Sequence, residues 1–153
     1  RNVTTKYYYI LVNTNVTLYY FGGIKLASND KLYNYKAKLV RVVDGDTIDA
    51  EIDLGFGVFI KQRIRLYGID TPESRTKDLE EKERGLAAKA RLTELLPREF
   101  IVQTILNKRG KYGRVLGTLL VEDESGNVTD INETLVTEGF AVHYFGGAKD
   151  GEE

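Results

Sequence analysis

The stretch AKLVRVVDGDTIDAEIDLGFGVFIKQRIRL, Ala37 to Leu66, decides the fold. Ala37–Val43 alternates and ends at Asp44-Gly45-Asp46, a turn signal. Thr47–Asp53 then sets Ile48, Ala50 and Ile52 on one face and Asp49, Glu51 and Asp53 on the other, the pattern of a half-exposed strand. Gly55-Phe56-Gly57 turns the chain again, and Val58–Leu66 makes a third strand running into Gly68. Three strands in an antiparallel meander are the expected product.

Working outward, the next segment is helical. Asp78 with Glu81 three residues on has the form of a capping box, and Glu80 and Glu83 suit the positive N-terminal end. Gly85, Ala88, Leu92, Leu95 and Leu96 share a face at helical spacing, and Pro97 stops the run. Phe100–Leu106 and Arg114–Val121 read as two further strands. A shorter helix is predicted over Asp130–Thr137, with Gly139 ending it. Three strands, helix, two strands, helix is a mainly β, α+β order, and it predicts a five-stranded barrel of the OB type with two helices.

Upstream, residues 1–35 read differently. Seven of the ten tyrosines lie there, interleaved with Val, Thr and Ile. Tyr7–Val12 and Val16–Phe21 read as strands around Asn13-Thr14-Asn15, and Gly22-Gly23 breaks the run. The expected organisation is an N-terminal β-hairpin extension (1–35), a barrel domain (36–145) and a flexible C-terminal tail (146–153). The extension reads either as an extra sheet that buries aromatic surface or as a basic, aromatic platform on which unpaired bases stack.

Composition narrows the chemistry. A chain of 153 residues suits one domain with a real core. No Cys is present, which removes disulfides, Cys-zinc sites and thiol nucleophiles, and the lone His143 argues against a His-rich metal cluster or a Ser-His-Asp mechanism. Any metal ligands are therefore oxygen. The net charge is −1, with residues 1–35 at +3 and the remainder at −4, so contact with nucleic acid is expected to be local rather than a broad cationic field. No apolar run is long enough to span a membrane and no signal peptide is visible, which leaves secreted and cytoplasmic settings both open. Asn-x-Ser/Thr matches at Asn2, Asn15, Asn127 and Asn132 carry meaning only in a eukaryotic secretory pathway.

Four fragments carry candidate chemistry. Asp44-Gly45-Asp46 could project two carboxylates towards one cation, or could be a plain Asp-Gly turn. In Ile69-Asp70-Thr71-Pro72-Glu73, Pro72 keeps Thr71 extended, so the Thr71 carbonyl can turn towards whatever Asp70 faces. A carboxylate and a carbonyl suit Ca²⁺, and Glu73 lies near enough to hold a water; the bland reading is a solvated acidic loop. Arg63 and Arg65 share a strand face, where a guanidinium can grip two phosphate oxygens or merely confer solubility. Gly110-Lys111-Tyr112-Gly113-Arg114 offers a second cation beside glycines that permit close approach, or is an ordinary hairpin loop.

Taken together, Val43 through Thr47, Arg65 through Glu73, Lys111 through Arg114 and Asn132 through Gly139 resemble staphylococcal-nuclease-like (thermonuclease) domains, in the family order and with family-like spacing. The resemblance spans about residues 36–145 and is closest in character to small bacterial and phage-type members. It implies an enzyme, a Ca²⁺-dependent nuclease on an OB barrel, cutting DNA and RNA with little sequence preference. By motif position, Asp46 and Asp70 would bind Ca²⁺ through carboxylates and Thr71 through its carbonyl, with Asp44 in the outer shell. Glu73 would be the general base, and Arg65 and Arg114 would hold the scissile phosphate. Lys111, Tyr112 and Tyr144 match positions beside the bound nucleotide. The implied partner is DNA or RNA, single-stranded or frayed, and the implied state is a monomer without membrane association.

Three departures stand out. Val142-His143-Tyr144-Phe145 replaces the family's nucleotide-binding tyrosine segment, the family's C-terminal helix has no counterpart before Glu153, and the loop from Ser74 to Lys82 differs from the type enzyme. The alternative reading is an inactive OB module that binds single strands or protein. Such a module would not need Glu73 or Arg114, and a degenerate member should have lost one of Arg65, Asp70, Glu73 and Arg114; all four are present.

Overall fold

Alternation along β4 (Thr47–Asp53) buries Ile48, Ala50 and Ile52 and leaves Asp49, Glu51 and Asp53 on the outer face. Around that strand the computed structural model, which describes residues 20–21, 24–25, 33–109 and 114–146, builds a closed barrel. The chain divides into two compact units, Arg1–Leu32 and Tyr33–Glu153. In the first, β1 (Tyr20–Phe21) pairs antiparallel with β2 (Ile24–Lys25). The predicted strand Tyr7–Val12, most of Val16–Phe21 and the turn between them lie outside the described residues, as does most of the 146–153 tail.

In the second unit β3 (Asn34–Asp44) pairs on one side with β4 and on the other with β7 (Glu99–Arg109). β4 pairs with β5 (Phe59–Leu66), and β7 pairs with β8 (Val115–Glu122). β5 and β8 then run parallel, with Ile64 opposite Val115, Arg65 opposite Leu116 and Leu66 opposite Gly117. That pairing closes the five-stranded barrel predicted from the sequence. Register shifts in β3, between Leu39 and Arg41 and between Val42 and Asp44, supply the local bends that closure requires.

Two helices cover the barrel. Asp78 caps α1 (Leu79–Leu95), accepting from the Glu80 and Glu81 amides. The Asp78 amide donates to Thr76 Oγ1, so the return half of the predicted capping box falls to a threonine. Gly85, Ala88 and Leu92 form the buried face of α1. Asp130 caps α2 (Ile131–Thr137) by accepting from the Glu133 amide, and Ile131 and Leu135 enter the core beside Ile48, Ile64, Leu66 and Leu92.

Short bridges complete the picture. β6 (Ile69–Asp70) pairs with β10 (Val142–His143), and β9 (Val128–Asp130) pairs with the far half of β8. None of the three is predicted from the sequence. Among the described residues, no helix is long and apolar enough to cross a membrane.

One buried side chain fastens the barrel's closure. Asn132 is only 2% exposed. Its Nδ2 donates to the carbonyls of Tyr67 at 2.9 Å and Gly117 at 3.2 Å, and its Oδ1 accepts from the Leu119 amide at 3.2 Å. α2 is thereby tied to the exit of β5 and to β8. Burial also removes Asn132 as a glycan acceptor in the folded chain. Asn132→Ala would take one hydrogen bond from each of three backbone groups, of which the Gly117 carbonyl keeps the Tyr67 amide at 2.9 Å. It is expected to cost about 2–4 kcal/mol in urea unfolding; a loss below about 1 kcal/mol would show that the closure does not depend on it.

Candidate active site

A two-residue turn, Gly45-Asp46, joins β3 to β4, with Asp44 and Thr47 facing each other across its base. A plain solvated turn would leave the Asp46 carboxylate in water. Instead Asp46 is 6% exposed and surrounded by donors. Oδ1 accepts from Thr47 Oγ1 at 2.9 Å, and Oδ2 accepts from the Thr71 amide at 3.1 Å and from Thr71 Oγ1 at 3.0 Å. Asp44, half-buried, keeps its Oδ1 on the Gly45 amide at 3.0 Å.

Asp70 reaches the same place from the end of β5. Its strand, β6, is held in extended form by β10, with Val142 opposite Asp70, and the Tyr144 amide donates to the Gly68 carbonyl at 2.8 Å. The two carboxylates converge on one cation. Arg65 Nη2 donates to Asp70 Oδ1 at 2.5 Å, and Arg65 Nη1 pairs with Asp46 Oδ2. The Arg65 side chain is 15% exposed. Burial pushes its guanidinium down from the ordinary value; Asp70 and Glu73 pull it back up, and Arg114 pushes it down. Those influences place Asp70, Glu73 and Arg114 each within electrostatic reach of Arg65. The Glu73 side chain is exposed to solvent.

Arg63 and Arg65 leave the same strand face with different fates. Arg63 binds Asp49 through Nε at 2.7 Å and Nη2 at 3.0 Å, and Arg41 Nε adds a third bond to Asp49 at 2.7 Å. Arg63 therefore belongs to a surface ion cluster and Arg65 to the site.

The structure thus brings together Asp46, Asp70, Thr71, Arg65, Glu73 and Arg114. The described contacts of Thr71 to Asp46 run through its amide and hydroxyl. Tyr144 stands beside Gly68, half-buried, next to the strand that carries Asp70. Lys111 and Tyr112 lie outside the described residues. A cleft of about 400 Å³ opens against Asp70, Thr71 and Pro72 and continues to Glu81, Arg84 and Phe140. A second cleft of about 390 Å³, around Lys36, Phe59 and Phe100, contains none of these residues, so size alone does not mark the site.

Residues 63–153 match the family described as staphylococcal nuclease homologue. The chain belongs to that family. It is 32% identical to a micrococcal nuclease of Shigella flexneri over 127 residues, covering 78% of this chain and 65% of the relative. It is 33% identical to an uncharacterized protein of Methanocaldococcus jannaschii over 132 residues, covering 72% and 60%. Protein ParB of Escherichia coli is 32% identical over 125 residues, covering 76% and 63%. The chain therefore spans about 60–65% of the length of these curated relatives.

Within the staphylococcal nuclease homologue fold, two features of the site escape motif reading. Gly45 and Gly85 have neighbours too close for a side chain, and Ser74 is buried beside Glu73. A glycine inside a strong helical pattern is the one sequence signal that points to Gly85.

The surface cluster beside the site has a pH signature. The Arg63 hydrogen bond, aided by Arg41 and opposed by burial, lowers Asp49 to about 2. A carboxylate depressed on folding stabilises the protein above its unfolded pKa, and that gain disappears as pH falls through the folded value. Both arginines are substantially exposed, which limits the effect to about 1 kcal/mol. The stability gap between the parent and Asp49→Asn is expected to be about 1 kcal/mol at pH 7 and to close between pH 4 and pH 2, in urea unfolding across that range. A gap that does not change with pH would remove the ion cluster as its cause.

Proposed function

We propose that this chain is a Ca²⁺-dependent nuclease that hydrolyses phosphodiester bonds of DNA or RNA with little sequence specificity. The observation that carries the reading is the convergence of Asp46 and Asp70 on a single cation position, with Glu73 and Arg114 within electrostatic reach of it. Membership of the staphylococcal nuclease homologue family and similarity to a protein named micrococcal nuclease support the same reading.

The donor set fits a hard cation. Two carboxylates that meet on one guanidinium can meet on one metal ion, and oxygen is the only ligand chemistry they offer. Among the described residues, no group of three or more His, Cys, Asp and Glu is arranged to hold a metal, so backbone oxygen and water would complete the shell. Asp46 and Asp70 would hold Ca²⁺ with the Thr71 carbonyl, and Asp44 would act from the outer shell. When bound there, the ion would take the place of Arg65 between the two carboxylates and would neutralise phosphate charge.

The remaining steps belong to the side chains. Arg65, released from the carboxylates, and Arg114 grip the non-bridging oxygens of the scissile phosphate. Their fixed charge is best matched when phosphorus is five-coordinate and carries most negative charge, and one such oriented donor is worth roughly 3–4 kcal/mol. Glu73 takes a proton from the water whose oxygen attacks phosphorus. The ester oxygen leaves and takes a proton from solvent. The exposure of Glu73 suits a base that must meet water. Lys111, Tyr112 and Tyr144 are assigned to the nucleotide beside the phosphate, on a substrate that is single-stranded or frayed, by a monomeric enzyme.

Glu73→Gln separates the base from the rest. It is expected to unfold in urea as the parent does and to bind Ca²⁺ with similar affinity by calorimetry, while kcat on denatured DNA falls by about 10³-fold or more. Turnover within tenfold of the parent would remove Glu73 from the base role.

A further inference from the structure

Gly85 sits in the middle of α1, where glycine is disfavoured against alanine, and its surroundings explain why it is there. A methyl group built on it would stand 2.7 Å from three backbone atoms: the Pro72 carbonyl oxygen, the Glu73 carbonyl carbon and the Ser74 nitrogen. No side-chain rotation relieves an overlap with backbone. Three residues on, the fully buried Ala88 makes a second close approach. Its Cβ lies 2.8 Å from where a Gly45 side chain would begin, and Thr71 Oγ1 is equally near that point. The helix is therefore seated at once on the Glu73 loop and on the Asp44-Gly45-Asp46 turn.

We propose that Gly85 is the positioning residue for Glu73: its missing side chain lets α1 rest directly on the Pro72–Ser74 backbone and so fixes the Glu73 carboxylate relative to Asp46. The proposal rests on the nuclease reading for the role of Glu73, though the contact itself does not. Glu73 has an exposed side chain, so neighbours do not pack it into place; its location comes from its backbone. Ser74, buried next to it, follows the same seat. Moving a methyl from 2.7 Å out to ordinary contact at 3.4 Å shifts the loop by about 0.7 Å. A misplacement of about 1 Å at a reacting group can cost on the order of a hundredfold in rate.

The test compares Gly85→Ala with Val102→Ala, a fully buried core position on β7, a strand that carries none of the candidate site residues. Both are assayed on denatured DNA with Ca²⁺, at a temperature where both are folded. Gly85→Ala is expected to lower kcat at least tenfold with KM within about threefold of the parent, while Val102→Ala keeps kcat within about twofold. A kcat for Gly85→Ala within twofold of the parent, or equal losses in both variants, overturns the proposal. NMR amide order parameters of the unsubstituted chain give a second reading that needs neither the variant nor activity. Glu73 and Ser74 are expected near about 0.85, level with α1, and values below about 0.6 overturn the seating. A parent that cuts no nucleic acid refutes the nuclease reading instead, and the order parameters then decide the seating alone.

Discussion

The parallel pairing of β5 with β8 is the constraint on which the site depends. Arg65 and Arg114 are far apart in the chain, and neither strand has a local reason to bring them together. Barrel closure does so, because Arg65 faces Leu116 and Arg114 directly precedes Val115, which faces Ile64. Parallel strands cannot be joined by a tight turn, so this contact must be assembled by the rest of the fold. Asn132 secures it by donating to the carbonyls of Tyr67 and Gly117 and accepting from the Leu119 amide. An OB barrel thus converts one closing contact into a pair of cations on one surface.

The acidic half of the site is assembled by different means. Asp46 is held by its own turn and by Thr71, Asp70 by the β6–β10 bridge, and the Glu73 loop by α1. Arg65 links the two halves through its bonds to Asp46 and Asp70. In that arrangement two buried or half-buried carboxylates are compensated by one guanidinium, which is the condition under which such groups are tolerated in a folded protein. In the proposed reaction the same carboxylates would hold the divalent cation, and Arg65 would turn from the acids to the phosphate.

Much of this was legible in particular residues. The alternation of Thr47–Asp53 and the run Val58–Leu66 gave strands that the fold places within one residue, because half-exposed strands write their burial into a period of two. Asp78 and Asp130 were readable as helix starts because a short acceptor before an apolar period meets orphan amides wherever the helix packs. The bridges β6, β9 and β10 were not legible, since two or three residues carry no period and pair only when tertiary structure delivers a partner. Within the site, Arg65 and Glu73 stood out by type and spacing. The separate fate of Arg63 did not, because the choice between Asp49 and Asp70 depends on which strand lies alongside. The roles of Gly85 and Asn132 were hidden for the same reason: each is defined by the backbone atoms it meets.

Under the proposed function, this constellation hydrolyses phosphodiesters with the help of a hard cation. The most direct measurement is cleavage of heat-denatured DNA by the purified chain, with Ca²⁺ and with a Ca²⁺ chelator. Cleavage is expected with Ca²⁺, to stop in chelator and to return when Ca²⁺ is restored. A folded protein that leaves the DNA intact with Ca²⁺, Mg²⁺ and Mn²⁺ would contradict it.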